Sequence, residues 1–327
     1  MAGGVTLAEP IGSLFFVMKI KLKEIHTSGY KRTSPSFTLP ERDTELCAVQ
    51  SHVKTEELES CALVLAALTH PASRFEGAFK SAPFDVTALL IEPGRSTAEL
   101  QGWFTVDGKE KEVTLTINSD GSVKIGGTPD TWDDAPKLDD LIGAITGASH
   151  EPVIREHFQY YPLHRRVTPF NPDLNALFNA QAMQHVSRFK RDILIAQMDA
   201  SAVLDTSAVG GTREDSCKAL DYFQSLLDKF VVGGAKMDKT RIASDNSLAI
   251  MLQYNGGSMP FDALGAGEKD AIVTLFSIWK NTPEDGAVVL IDEPTIYLDG
   301  SFRDGYEFFR VLDYIDSNSQ YIYTMII

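Results

Sequence analysis

Two adjacent carboxylates, Asp292-Glu293, close the apolar run Ala287-Val288-Val289-Leu290-Ile291. Branched apolar residues in an unbroken run read as a strand buried on both faces, as in a parallel sheet. Carboxylates at the carboxyl end of such a strand sit where open α/β sheets bind ligands. Upstream, Gly265-Ala266-Gly267 precede a helical pattern that begins near Glu268. Small residues ahead of a helix offer backbone N–H groups and a positive helix end to a phosphate. Each piece alone also reads as plain structure, a buried strand ending in an acidic turn and an unrelated Gly-rich loop.

Taken together and in order, three runs resemble the ABC ATPase superfamily in its SMC/RecF/OLD-like branch. Leu264-Gly265-Ala266-Gly267-Glu268-Lys269-Asp270 resembles the signature motif. Ala287 to Ile291 with Asp292-Glu293-Pro294-Thr295 resembles Walker B, and Leu298-Asp299 resembles the D-loop. The interval from Glu268 to Asp292 has room for one helix, a turn and one strand, as in that family. The resemblance implies ATP and Mg²⁺ as cofactors. It gives Asp292 to the metal, through water, and makes Glu293 the catalytic residue that orients or deprotonates the attacking water. Gly265, Ala266, Gly267, Glu268 and Asp299 become nucleotide-contacting positions of a dimerising head.

The same resemblance places a phosphate loop at Ala48-Val49-Gln50-Ser51-His52-Val53-Lys54-Thr55. Lys54 falls where the phosphate-binding lysine belongs, and Thr55 where the Mg²⁺ hydroxyl belongs. The glycines of that motif are absent, with Ala48, Ser51 and Val53 in their places. A loop that wraps phosphate with consecutive N–H groups needs backbone shapes that glycine adopts freely, and valine is a poor substitute at positive φ. Two readings stand here, a working phosphate site and a redesigned loop without nucleotide. Gly265 replaces the usual signature serine, and after Thr324-Met325-Ile326-Ile327 either the chain stops before the loop of the switch histidine or that histidine is gone. Gln101 corresponds to the family's Mg²⁺-sensing glutamine or is a strand-edge polar group. Tyr30-Lys31-Arg32 falls where the family often has an aromatic or arginine near adenine.

The elements that must position these residues follow from pattern. Residues 17–23 alternate apolar and basic, a half-exposed strand, with a second over Phe37 to Leu39 and a short apolar run over Leu46 to Val49. Glu56 to Leu68 reads as a helix with an acidic first turn, matched to the helix dipole. Residues 84–125 read as a β meander, with strands over Val86–Ile91, Gly102–Val106, Val113–Ile117 and Val123–Ile125. Turn signals at Pro93-Gly94, Asp107-Gly108 and Asp120-Gly121 separate them. From 138 to about 231 the pattern is mostly helical, clearest over Phe178–Met198 and Ser216–Phe230. The end returns to α/β, with a strand over Leu248–Gln253, helices near 268–280 and 302–316, and a last strand over Tyr321–Ile327. The expected fold is α/β, an ABC-type ATPase head with an N-terminal antiparallel β lobe, a mainly parallel core sheet and a helical insertion. Lobe I is expected over 1–130, the insertion over 131–247 and lobe II over 248–327.

The chain of 327 residues carries a net charge of −15, which excludes nucleic-acid binding through its overall field. A local patch for DNA or RNA is expected from Arg155, Arg165, Arg166, Arg188, Lys190 and Arg191; the alternative is a solvated face or internal partners for the acidic excess. No stretch approaches the roughly 20 apolar residues of a membrane span. Three scattered cysteines, Cys47, Cys61 and Cys217, show no metal or disulfide spacing, and the expected location is a reducing cytoplasm. The expected function is a weak or partner-dependent ATPase head. It dimerises with itself or a related subunit, and acts with a separate effector protein as a switch in DNA repair or anti-phage defence. The alternatives are a pseudo-ATPase scaffold or sensor and a nucleic-acid-binding module.

Overall fold

The computed structural model describes residues 20–31, 33, 36–39, 47–48, 55–127, 136–163, 165, 171–172, 185–201, 212–242, 247–295, 298, 306–315 and 318–324. Its first part runs β1 (Ile20–Ser28), β2 (Ser36–Thr38), β3 (Cys47–Ala48), α1 (Thr55–Thr69), α2 (Ala72–Ser81), α3 (Val86–Leu90), β4 (Thr97–Val106), β5 (Lys109–Asn118) and β6 (Val123–Gly126). Next come α4 (Leu138–Ile145), β7 (Val153–Ile154), β8 (Phe158–Tyr161), α5 (His185–Ala200) and α6 (Arg213–Phe230). The last part holds β9 (Lys236–Met237), β10 (Arg241–Ile242), β11 (Leu248–Ala249), β12 (Met251–Tyr254), β13 (Gly257–Pro260), α7 (Ala266–Asn281), β14 (Val288–Ile291), α8 (Tyr306–Ile315) and β15 (Gln320–Tyr323). Antiparallel and parallel sheets coexist with helices, as the expected α/β class requires.

An antiparallel sheet of order β2-β1-β4-β5-β6 follows from alternation, because every second residue of β4 is buried. The tight β4–β5 turn is closed by Asp107 and Gly108, both at positive φ (50° and 72°), the backbone shape of the commonest two-residue hairpin loop. Strand β1 carries an extra residue between Leu22 and Glu24. Opposite this irregularity, the buried amide of Gln320 in β15 takes the place of a strand partner. Its Oε1 accepts from Leu22 N at 2.8 Å, and its Nε2 donates to Leu22 O at 2.7 Å. One side chain thus fastens the antiparallel sheet to the second sheet.

That second sheet has the order β3-β15-β14-β8-β7, with β3, β15, β14 and β8 mutually parallel and β7 antiparallel at one end. Helix α1 lies between the two sheets and is buried on all sides, Glu57 to Thr69 included. Such a helix has no polar face to show to water, which is why its apolar residues run without helical periodicity. It approaches β4 closely at Gly102, where an added Cβ would lie 2.8 Å from the Phe104 ring and 3.1 Å from Val64.

β14 divides two hydrophobic cores. Val288 and Leu290 join α1 and the antiparallel sheet, while Val289 and Ile291 join α5 to α8. Both faces are covered, as expected for an unbroken apolar strand.

Two expectations are corrected. Val86–Ile91 is not a strand: residues 86–90 form α3, because the Asp85 side chain accepts from Thr87 N and Ala88 N and caps a helical turn. The segment 131–247, expected to be mostly helical, also supplies β7 and β8, and β8 pairs directly with β14. The strand expected over Leu248–Gln253 is split into β11 and β12. Within the expected strand 17–23, residues 17–19 lie outside the described residues, as do 325–327 of the last strand.

Candidate functional site

The site is built at the carboxyl end of β14. Beyond Ile291 the ladder continues for one residue on each side: Asp292 N donates to Tyr161 O at 2.9 Å, and Thr324 N donates to Ile291 O at 3.2 Å. These bonds hold the Asp292 peptide at the sheet edge and bury its side chain completely. Two hydroxyls converge on one carboxylate oxygen. Thr55 Oγ1, at the first residue of α1, donates to Asp292 Oδ1 at 3.1 Å, and Thr324 Oγ1 donates to it at 2.5 Å. Asp292 Oδ2 is buried and has no hydrogen-bond partner among the described residues. A buried carboxylate oxygen left unbonded is costly, and a cation is one way to satisfy it.

Burial pushes the Asp292 carboxyl above the usual range, against the bonds from Thr324 and Thr55 and the nearby Arg165 guanidinium. On α1, burial also raises Glu59, to about 7, against the Lys31 ammonium that pairs with it. Tyr30 OH donates to the same carboxylate at 3.4 Å. Tyr160, on β8, is raised by burial and then by the charges of Glu59 and Asp292, so these acids share one buried region.

Glu293 follows with φ of +42°, where non-glycine residues rarely sit. Its N–H donates to Thr324 Oγ1 at 2.8 Å. Behind it, Arg165 donates from Nη1 to Asp292 O at 2.7 Å and from Nη2 to Glu293 O at 3.3 Å. The same guanidinium grips Asp270 of α7 through Nε at 3.1 Å and Nη2 at 2.9 Å. At the start of α7, Glu268 Oε2 accepts from Gly265 N at 2.8 Å. This is half of a capping box, since Gly265 has no side chain to complete it. Gly265 and Ala266 are exposed and Gly267 is buried.

The structure therefore brings Thr55, Asp292 and Glu293 together and ties them through Arg165 to the helix that opens at Gly265. It does not bring Gln101 to them. Gln101 alternates with the buried Leu100 and Gly102, so its side chain leaves the opposite face of β4 and bonds Glu112 of β5. Lys54 and Asp299 lie outside the described residues. The basic patch is corrected. Arg165 and Lys190 are buried, Lys190 on Asp262 at 2.6 Å, so neither is available to a nucleic acid. Arg191 lies 3.6 Å from Asp192; Arg188 is exposed, Arg155 is half-buried, and Arg166 lies outside the described residues. Thr324 is a site residue that sequence reading missed, and the parts played by Arg165, read as one of a basic patch, and Asp270, read as the end of the signature-like run, were missed with it. The signal for Thr324 was a hydroxyl directly after an apolar strand that neighbours the acidic one.

No protein-family model and no curated protein matches the chain. Among solved structures it is similar to an SMC head bound to the C-winged helix domain of ScpA, at 15% identity over 94% of this chain and 89% of that one, with a TM-score of 0.47. A Pyrococcus furiosus Smc head with an extended coiled coil, bound to the C-terminal domain of ScpA, gives 13% identity, 94% and 90% coverage and a TM-score of 0.48. The recombination mediator RecF with ATP gives 12% identity, 94% coverage of each chain and a TM-score of 0.40. These are likenesses of overall shape; the chemistry of the site rests on this chain's own residues.

The residues present fit a magnesium ion. Asp292 Oδ2 and the Thr55 hydroxyl are hard oxygen donors on neighbouring elements. Among the described residues no group of three or more His, Cys, Asp or Glu side chains could hold a metal. Magnesium does not need one, since it is commonly held by one or two carboxylates, substrate phosphates and water. Among the described residues no helix is long and apolar enough to cross a membrane.

Proposed function

We propose that the chain is a nucleotide-dependent switch, an ABC-type ATPase head that binds ATP with Mg²⁺ and hydrolyses it. The observation that carries this reading is the Thr55–Asp292 hydrogen bond with Glu293 beside it. A helix N-terminus, a hydroxyl, a buried carboxylate and a second carboxylate are gathered at the end of a parallel strand, where phosphoryl-transfer sites are assembled. Thr55 and Asp292 hold the metal, which supplies charge neutralisation to the phosphates when bound. Lys54 reaches the phosphates from the residue before α1. Glu293 orients or deprotonates the attacking water. The exposed start of α7 at Gly265 and Ala266 presents a surface to the nucleotide of a second head, a copy of this chain or a related subunit, and Asp299 keeps the role that the D-loop resemblance implies. A role in DNA repair or anti-phage defence with a separate effector belongs to the same reading.

A second reading, a head that pairs without turnover, is favoured by one observation: Ala48, Ser51 and Val53 stand where phosphate loops carry glycine. Calorimetry with ATP and Mg²⁺ separates the two. The ATPase reading expects binding that Lys54→Ala abolishes. It also expects hydrolysis that Glu293→Gln lowers by about 10² or more while binding persists. No binding at millimolar ATP sinks it in favour of the second.

A further inference from the structure

Arg165 and Asp270 are each 3% exposed. A buried ion pair is weak grounds for stability, because desolvation offsets much of the attraction. This one does more than pair. The planar guanidinium joins the Asp270 carboxylate, in the early turns of α7, to the carbonyl oxygens of Asp292 and Glu293. Glu293 is held at φ +42°, a backbone shape that persists only where its surroundings impose it. Thr324 Oγ1 takes its N–H and Arg165 Nη2 takes its carbonyl, so both peptide groups flanking its Cα are fixed from outside.

We infer that Arg165 is a positioning residue that couples the seat of α7 to the backbone of Glu293. The helix that opens at the exposed Gly265-Ala266 and the peptide that aims the Glu293 carboxylate are two ends of one rigid fork. A shift at the start of α7, where a second head would dock, is passed to Glu293 through this fork. A lysine cannot serve, since an ammonium is a point charge without the planar fork. The inference rests on the ATPase reading for its consequence in catalysis, though not for the mechanical link itself.

The test is amide hydrogen exchange with mass spectrometry on the full chain and on Arg165→Lys and Asp270→Asn, together with Mg-ATP turnover and affinity. In both variants the peptide spanning 292–294 is expected to exchange at least tenfold faster, while β4 and β5 keep their wild-type protection. Turnover is expected to fall at least thirtyfold with ATP affinity within twofold. If a single variant does not fold, Arg165→Gln/Asp270→Asn removes both charges together and is read the same way. Unchanged exchange at 292–294, a rise shared equally by β4 and β5, or turnover within threefold of wild type overturns the coupling. If the wild-type chain hydrolyses no ATP, it is the ATPase reading that fails, and exchange alone decides the link.

Discussion

Glu59 and Asp292 are buried acids on facing elements, and both are raised by burial ahead of every other cause. For Glu59 the folded value of about 7 lies above its ordinary value of 4.5. The folded chain therefore holds a proton that the unfolded chain has released, and stability falls as pH rises between about 4.5 and 7. The span corresponds to at most roughly 3 kcal/mol. Asp292 and Asp270, also raised, act with the same sign. Urea melts of wild type and Glu59→Gln at pH 5, 6, 7 and 8 isolate the Glu59 share: the wild-type decline is expected to flatten in the variant. Parallel slopes would remove Glu59 from that role. The adjacent acids Asp292 and Glu293 were legible in sequence because they end an apolar run. Thr324 and Asp270 were not, because a hydroxyl after one strand and an acid inside a helix acquire meaning only when the sheet sets β15 beside β14 and Arg165 reaches α7.

Among the elements, α1 sets the site because its first residue supplies the Thr55 hydroxyl. Its position depends on the close approach to β4 at Gly102, where a methyl group would meet Phe104 and Val64. Gly102→Ala is expected to push α1 away and to destabilise the fold by about 1–3 kcal/mol, the usual cost of overpacking. Its weakening of Mg-ATP binding should exceed that of an exposed substitution on β5, such as Lys109→Ala, in paired denaturation and calorimetry. Equal effects would show that α1 is placed by something else. Helix α1 was readable from its acidic first turn, and helices α6 and α7 and strand β14 from apolar pattern. Strand β8 was missed because Phe158-Gln159-Tyr160-Tyr161 puts a buried glutamine among aromatics, and Gln159 is satisfied there by Tyr161 OH at 2.9 Å. Helix α3 was missed because Val-Thr-Ala-Leu-Leu is a short apolar run whose period does not tell strand from helix, and the Asp85 cap decides it.

Across the whole molecule, β14 belongs to both hydrophobic cores, Val288 and Leu290 to one and Val289 and Ile291 to the other. Leu290→Ala removes apolar volume at a fully buried position, a change that costs about 2–5 kcal/mol in comparable cores. Thermal unfolding followed by Trp103 fluorescence on β4 and by Trp279 fluorescence on α7, each in a variant lacking the other tryptophans, is expected to show the same midpoint. Leu290→Ala is expected to lower both midpoints together. Separate midpoints would mean that the halves melt independently. A shared strand also changes what mutation can do to this chain. Residues 288–291 have no solvent side on which change passes unnoticed, and each must suit neighbours contributed by distant stretches of sequence. Drift in either half is thus felt at the strand that presents Asp292, and the two halves are bound to vary in step with each other.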